Sequence, residues 1–347
     1  MRSDRVGCVD LFRFFMILLI MSHHLYLFGY SDDFPFRSCW AWVDYFFLLT
    51  GYFTMRHYAC REVKENHAAE ALMYTLRKLA GCFPFVLIAV SAQYLITALP
   101  SLVQGNPKQF LSSFSDWPYE VLLLSSSGIV WAKVMPLWFL SAMLLTLPLM
   151  IYLMLRFRDF WRIAAWLIPL LYYGQMGINT VRTWPNDLIR AFSCMTLGTF
   201  VYLISEKVKT REIRRGNRIW FTIGEAGALF ISLYITVLNK DFMNLLPLLF
   251  FLHGTIMLSG RSHTALIRGP LCSFLGEISM PVFVFHWTIA SAVKDLAAGM
   301  ELRLALYYLG TLFLSCAAVC LKHIISRRKK PAEPASPKQE NRGDCAA

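Results

Sequence analysis

The sequence predicts an all-α, polytopic membrane protein with about ten transmembrane helices and both termini in the cytoplasm. Two observations carry the fold class. The 347 residues are 56% hydrophobic, with a mean hydropathy of +0.47. Only 16% are charged, against about 25% in an ordinary soluble domain. A third observation, the placement of the charges, sets the orientation. Ten apolar stretches stand out, at about 7–29, 40–58, 78–99, 135–155, 161–175, 188–205, 219–238, 243–260, 271–293 and 303–324. A crossing needs about 20 apolar residues, and the fifth stretch is short by that measure. With the N-terminus inside, alternation sends most of the 34 Lys and Arg residues to the inner loops, as the positive-inside rule requires. The net charge of +12 is therefore mainly topology, and no nucleic-acid partner is expected. Residues 1–325 form one expected transmembrane domain, and the charged, Pro-rich stretch 326–347 an expected disordered cytoplasmic tail. The first apolar run lacks a small-residue cleavage site, so it is expected to remain as an anchor.

The first span, VDLFRFFMILLIMSHHLYLF, contains Arg13 and His24 with ten residues between them. Ionisable side chains inside a bilayer are costly and usually face a protein interior or a water-filled cavity. Eleven residues of α-helix make about three turns, which puts both on nearly one face, roughly 16 Å apart along the axis. His23 points about 100° away from His24. Asp10, three residues before Arg13, is placed to pair with it. Arg13 is either a structural lock with Asp10 or a guanidinium offered to an anionic ligand from the cytosol. His24 is either an interfacial residue or a general base, the role imidazole suits near neutral pH.

The second span begins WVDYFF, and a short loop joins it to the first. Asp44 is therefore expected near His24, where a carboxylate would fix the imidazole tautomer; the alternative is a helix cap. Thr50-Gly51 is expected to let two helix backbones approach closely. At the third span Arg77 reads as positive-inside topology. The long loop 100–134 carries Trp117, Pro118 and Tyr119 and is expected to hold an amphipathic or re-entrant segment. Trp138 opens the fourth span, and Arg190 lies in the sixth. In the ninth, Glu277 and His286 are nine residues apart and face opposite sides. Glu225 and His253, also inside spans, read as satisfied polar residues. The nine cysteines form no CxxC pair. They are expected to be small, buried thiols, and with only Cys39 clearly on the extracellular side no disulfide is expected. No metal site is expected.

These blocks, in this order, closely resemble the membrane acyltransferase type 3 superfamily. The family pattern is an Arg, ten residues and a His in helix one, then a G-V-D-x-F-F-x-L-S-G-F block in helix two. Here they are Arg13, His24 and the block Val43-Asp44-Tyr45-Phe46-Phe47-Leu48-Leu49-Thr50-Gly51-Tyr52-Phe53. Arg77 before a proline, Leu137-Trp138-Phe139-Leu140, Arg190 with Gly198, and Leu275 to Trp287 (LGEISMPVFVFHW) match further blocks, over roughly residues 6–322. Two features depart from the pattern. Ala41 or Trp42 replaces the glycine before Val-Asp and Thr50 the usual Ser, and Met143 stands where one branch carries Glu. The extracellular esterase-like domain of some relatives is not expected here. The resemblance implies a bacterial inner-membrane enzyme that moves an acyl group, commonly acetyl, from cytosolic acyl-CoA to a hydroxyl of a surface or exported glycan. It implies that Arg13 handles donor phosphate or acyl carbonyl, that Arg77 binds CoA phosphate, and that His24 is the base or acyl relay. His286 corresponds to the family's late His. The competing reading is a transporter or flippase of a glycan precursor or small anion, for which intramembrane Arg, His and Glu are equally expected. No inverted repeat supports it.

Overall fold

The computed structural model describes residues 7–31, 33–61, 63, 66–178, 186–211 and 217–328. The expected tail from 329 onward lies outside them. Among the described residues the chain is all-helical. In order the helices are α1 (Gly7–His23), α2 (Trp42–Tyr58), α3 (His67–Ala80), α4 (Phe83–Val103), α5 (Pro107–Ser112), α6 (Trp117–Val121), α7 (Trp138–Arg156), α8 (Arg158–Ile178), α9 (Asn186–Thr210), α10 (Asn217–Val237), α11 (Leu246–Ser259), α12 (Pro270–Val293) and α13 (Met300–Arg328). With no water in the bilayer core, every backbone amide and carbonyl there needs an internal partner, and a helix provides that within one segment.

Seven helical segments are long and apolar enough to cross a membrane. Among the described residues they are α4, α10 and α12, together with Gly7–Phe28, Met135–Arg156, Asp187–Thr210 and Met300–Ile325, which overlap α1, α7, α9 and α13. The chain is thus a multi-pass membrane protein. The other three expected spans coincide with helices that do not meet the measure. α2 has 17 residues and α11 has 14. α8 carries Arg158, Asp159 and Arg162 in its first turns.

Local sequence sets the boundaries. Asn66 caps α3 by accepting from the Ala69 amide, and Asn106 caps α5 through Gln109. Proline sits in the first turn of α4, α5 and α12, where its missing N–H has no partner to lose. Gly260 ends α11 in the left-handed region at φ 72.

The third span does not start at residue 78. The chain turns at Gly81-Cys82, so Arg77 lies exposed on α3, a separate helix packed on α7. The long loop folds as α5 and α6, both packed on α4. Cys39 is fully buried. It lies in a 3-10 turn, Arg37–Ala41, that runs down beside α1 before α2 begins.

Packing sorts the helices around two axes. α9 is flanked by α2, α7, α8 and α11, and α10 packs on α11. α12 is flanked by α1, α4 and α13. The α2–α9 seam is backbone against backbone: a Cβ on Gly51 would land on the Met195 carbonyl, and one on Gly198 on the Leu48 carbonyl. Small residues at such seams let helices pack where lipid supplies no hydrophobic drive between them.

Candidate active site

α1 and α12 run parallel, and their facing stripes build the site. On α12 the stripe is Gly276, Ser279 with Met280, Phe283, and His286 with Trp287, a spacing of three and four that keeps one face. Opposite it lie Asp10, Arg13, Ile17 and His24. Gly276 presses against the Asp10 carboxylate, leaving no room for a Cβ. Asp10 and Arg13 approach to 3.9 Å, with the Arg13 side chain one-third exposed. Above them a narrow cavity of about 10 Å³, lined by Arg13, Ile17, Phe46, Phe139, Ser279, Met280 and Phe283, lies at the threshold for holding one water. Phe46, Phe139 and Phe283 pack ring on ring, with centroids 5.6–6.3 Å apart. They form an aromatic constriction where the α9 group meets the α12 group.

Beyond the constriction, the Phe283 ring meets His286 at 6.0 Å. His286 stacks on His24 at 5.1 Å and 27°. The Trp287 indole closes on His24 edge-on at 5.1 Å. His24 is 7% exposed and His286 fully buried. His286 Nδ1 lies 3.2 Å from the Val282 carbonyl. His24 Nδ1 and His286 Nε2 are buried with no hydrogen-bond partner. The neighbouring His23 is engaged elsewhere, its Nδ1 2.6 Å from the Arg37 carbonyl.

Asp44 is not His24's partner. Its Oδ1 accepts from Arg190 Nε at 2.6 Å. The Arg190 guanidinium lies over the rings of Trp40, at 4.6 Å, and Trp138, at 5.1 Å. The reason is depth. His23 is level with Arg37, while the Phe12 ring meets Tyr45 at 5.0 Å. From Phe12 to His23 is about 16 Å of α-helix. The descent along Arg37–Ala41 therefore brings Asp44 to the level of Arg13, not of His24. Three expected site residues, Asp44, Trp138 and Arg190, thus form one cluster, and His24 and His286 form another. Glu277 belongs to neither: it meets His323 of α13 at 3.2 Å.

Two further polar arrangements went unread in the sequence. Tyr45 Oη lies 2.6 Å from His253 Nδ1, and His253 Nε2 lies 4.0 Å from Glu225. Glu225 also accepts the Thr264 hydroxyl, so the Glu225 and His253 pair is partnered as expected, with Tyr45 as an unforeseen member. In the α4–α7 loop, Glu120 is completely buried. Its Oε1 accepts the Val134 amide at 2.7 Å. Burial pushes the Glu120 carboxyl above the usual carboxylate range, against the Val134 and Lys133 amides, which favour the charged form. Its only sequence signal was a carboxylate one residue beyond the Trp-Pro-Tyr turn.

A family model described as an acyltransferase domain matches residues 6–324 of the chain. No curated protein and no solved structure matches it.

Proposed function

The chain belongs to the acyltransferase 3 family, and from that premise we propose that it carries an acetyl group from cytosolic acetyl-CoA to a hydroxyl of a surface or exported glycan. The Gly7 end of α1 faces the cytosol in this reading, in the cytoplasmic membrane of a bacterium. The observation that carries it is the α1–α12 face, which holds a cation at one depth and a pair of imidazoles with unused buried nitrogens at another. Leaving a buried polar atom unpaired costs about 1–3 kcal/mol, a cost that a bound substrate hydroxyl would remove.

Arg13 holds the donor phosphates or the acyl carbonyl, since guanidinium forks match such oxygens. Arg77, exposed near the same end, adds charge for CoA phosphate. The pantetheine arm then covers the separation to His24, passing the Phe46, Phe139 and Phe283 rings, which have to part. His24 takes the proton of the acceptor hydroxyl as its oxygen attacks the thioester carbonyl. The C–S bond breaks, CoA leaves as thiolate, and the thiolate is protonated as the new ester forms. Stacking on His286 and the Trp287 edge fixes the His24 ring. The same pair also suits an acyl-imidazole relay, in which His24 first receives the acyl group and then passes it to the hydroxyl. Asp44 supports the site from the side, through Arg190 and Trp138, rather than touching the reacting atoms.

The test is protein in nanodiscs with radiolabelled acetyl-CoA and an extract of envelope glycans. Label is expected in the glycan fraction with wild type and not with His24→Ala. If wild type neither hydrolyses acetyl-CoA nor transfers label, the proposal is wrong.

A further inference from the structure

We infer that Glu120 is a positioning residue for His24, acting through the α4–α7 loop and the Trp287 indole. This rests on the reading of His24 as the reacting base. Four contacts form the line. The Glu120 carboxylate accepts the Val134 amide at 2.7 Å. One residue back, the Lys133 carbonyl accepts the Trp287 indole N–H at 2.7 Å. The Trp287 ring stands at 85° to His24, 5.1 Å away. His286 closes the other side of the imidazole.

The Lys133-Val134 peptide is thus the point at which the loop grips the site. It is held from further directions. Lys133 Nζ donates to the Ser113 carbonyl at 2.8 Å and lies 4.0 Å over the Tyr94 ring. Val134 is fully buried. Ser126, farther along the loop, donates its amide to Ser141 of α7 at 2.8 Å. The backbone just after α6 is strained into position: Leu123, a buried non-glycine residue, sits at φ 59, a conformation that costs of order 1 kcal/mol and persists only when its surroundings enforce it. A loop anchored only for its own stability would not need a completely buried carboxylate aimed at the one peptide that holds Trp287.

The chain of contacts makes Glu120 the acceptor that fixes 133–134, and 133–134 the acceptor that fixes the Trp287 indole. With Glu120 removed, the indole loses its anchor, and His24 gains both solvent access and ring freedom.

The measurement is carbethoxylation of individual histidines by diethyl pyrocarbonate on the full chain in nanodiscs, read by peptide mass spectrometry. His263 and His323, at the opposite end of the bundle, serve as internal references. Glu120→Ala is expected to raise the His24 rate by about tenfold, the effect of losing one buried hydrogen bond, while the reference rates stay constant. Glu120→Gln keeps an oxygen that accepts the Val134 amide, and its His24 rate is expected within about twofold of wild type. An unchanged His24 rate in Glu120→Ala overturns the inference. So does a Glu120→Gln variant as reactive as Glu120→Ala. If Glu120→Ala accelerates all histidines together, the fold has failed, and Trp287→Phe decides. That variant keeps a ring and drops only the N–H to Lys133, and a His24 rate equal to wild type would then reject the latch. In turnover, Glu120→Ala lowers kcat at an unchanged KM for acetyl-CoA. The labelling arm does not depend on turnover, so a wild type without transferase activity would defeat the proposed reaction and leave the latch standing.

Discussion

The α9 group and the α12 group treat their buried polar atoms in opposite ways. Around α9 the helices meet backbone to backbone at Gly51 and Gly198. The charge there is paired in place, with Asp44 on Arg190 at 2.6 Å and indoles over the guanidinium, while Arg190 Nη2 makes no hydrogen bond. Around α12 the contact opens above Asp10 into a small cavity, and the two stacked imidazoles keep a buried nitrogen each without a partner. The first arrangement offsets one buried charge with its opposite. The second leaves part of that cost standing, which is what a site that will bind something else requires. Under the proposed function, the difference puts scaffold on one side and chemistry on the other.

The largest effect tests the scaffold side. Gly198→Val puts a branched side chain on the Leu48 carbonyl and against the Tyr52 amide. Backbone cannot yield as a flexible side chain does, so the cost is expected to exceed about 3 kcal/mol. Size-exclusion chromatography in detergent should show no monodisperse protein. A well-folded variant would mean that the α2–α9 seam is not rigid, and the contrast would lose its first half.

His24→Ala comes next and tests the other side. Loss of a general base is expected to reduce acyl transfer by about 10²–10⁴-fold. The melting temperature should hold or rise, because an unpaired buried nitrogen leaves with the ring. A stability loss accompanied by normal turnover would place His24 among the scaffold residues.

The same contrast explains what could be read in the sequence. Helical crossings depend on local apolarity and length, so all ten stretches correspond to helices. The Arg13 and His24 face was legible because both lie on one continuous helical segment, Gly7–Phe28. Their facing stripe was legible only in part: Glu277 and His286 fell on opposite sides by helical arithmetic, as found, but no arithmetic within one span brings His286 to His24. That needs α1 beside α12, almost the whole chain apart. Asp44 was misread because the hairpin was treated as two helices and a short loop. In fact it spends Arg37–Ala41 descending along α1, which lowers Asp44 by about three turns relative to the expectation. Glu120 was invisible because its meaning rests on a peptide fourteen residues downstream and on an indole in α12.

Asp44→Asn is expected to fall in the middle of the series and mainly in stability. Removing the carboxylate leaves the Arg190 charge buried among aromatic rings. Breaking such a pair costs about 3 kcal/mol or more, whereas replacing both partners by apolar groups of similar volume costs much less. Thermal unfolding of Asp44→Asn, Arg190→Leu and the pair Asp44→Leu with Arg190→Leu should therefore show the double variant more stable than the first. If Asp44→Asn instead loses transfer at a temperature where it stays folded, with no drop in melting temperature, the cluster is part of the chemistry, and the division between the two groups fails at this point.

The smallest effect concerns Glu277, which shares α12 with the site residues but not their face. Its carboxylate lies 3.2 Å from His323, with the two side chains 28% and 52% exposed. An ion pair that wet is worth about 0–1 kcal/mol, since solvent and salt screen it and two flexible side chains have to be held for it. Glu277→Gln is therefore expected to shift stability by less than about 1 kcal/mol and to leave transfer within about twofold of wild type. Adjacency in sequence argues the other way, because Gly276 and Ile278 flank it, and Gly276 touches Asp10. The helix resolves the conflict, for one step along it turns the side chain by about 100°, away from Arg13 and toward α13. A large loss of transfer in Glu277→Gln, with normal melting, would show that the active face of α12 is wider than its contacts with α1 and reaches the α13 side.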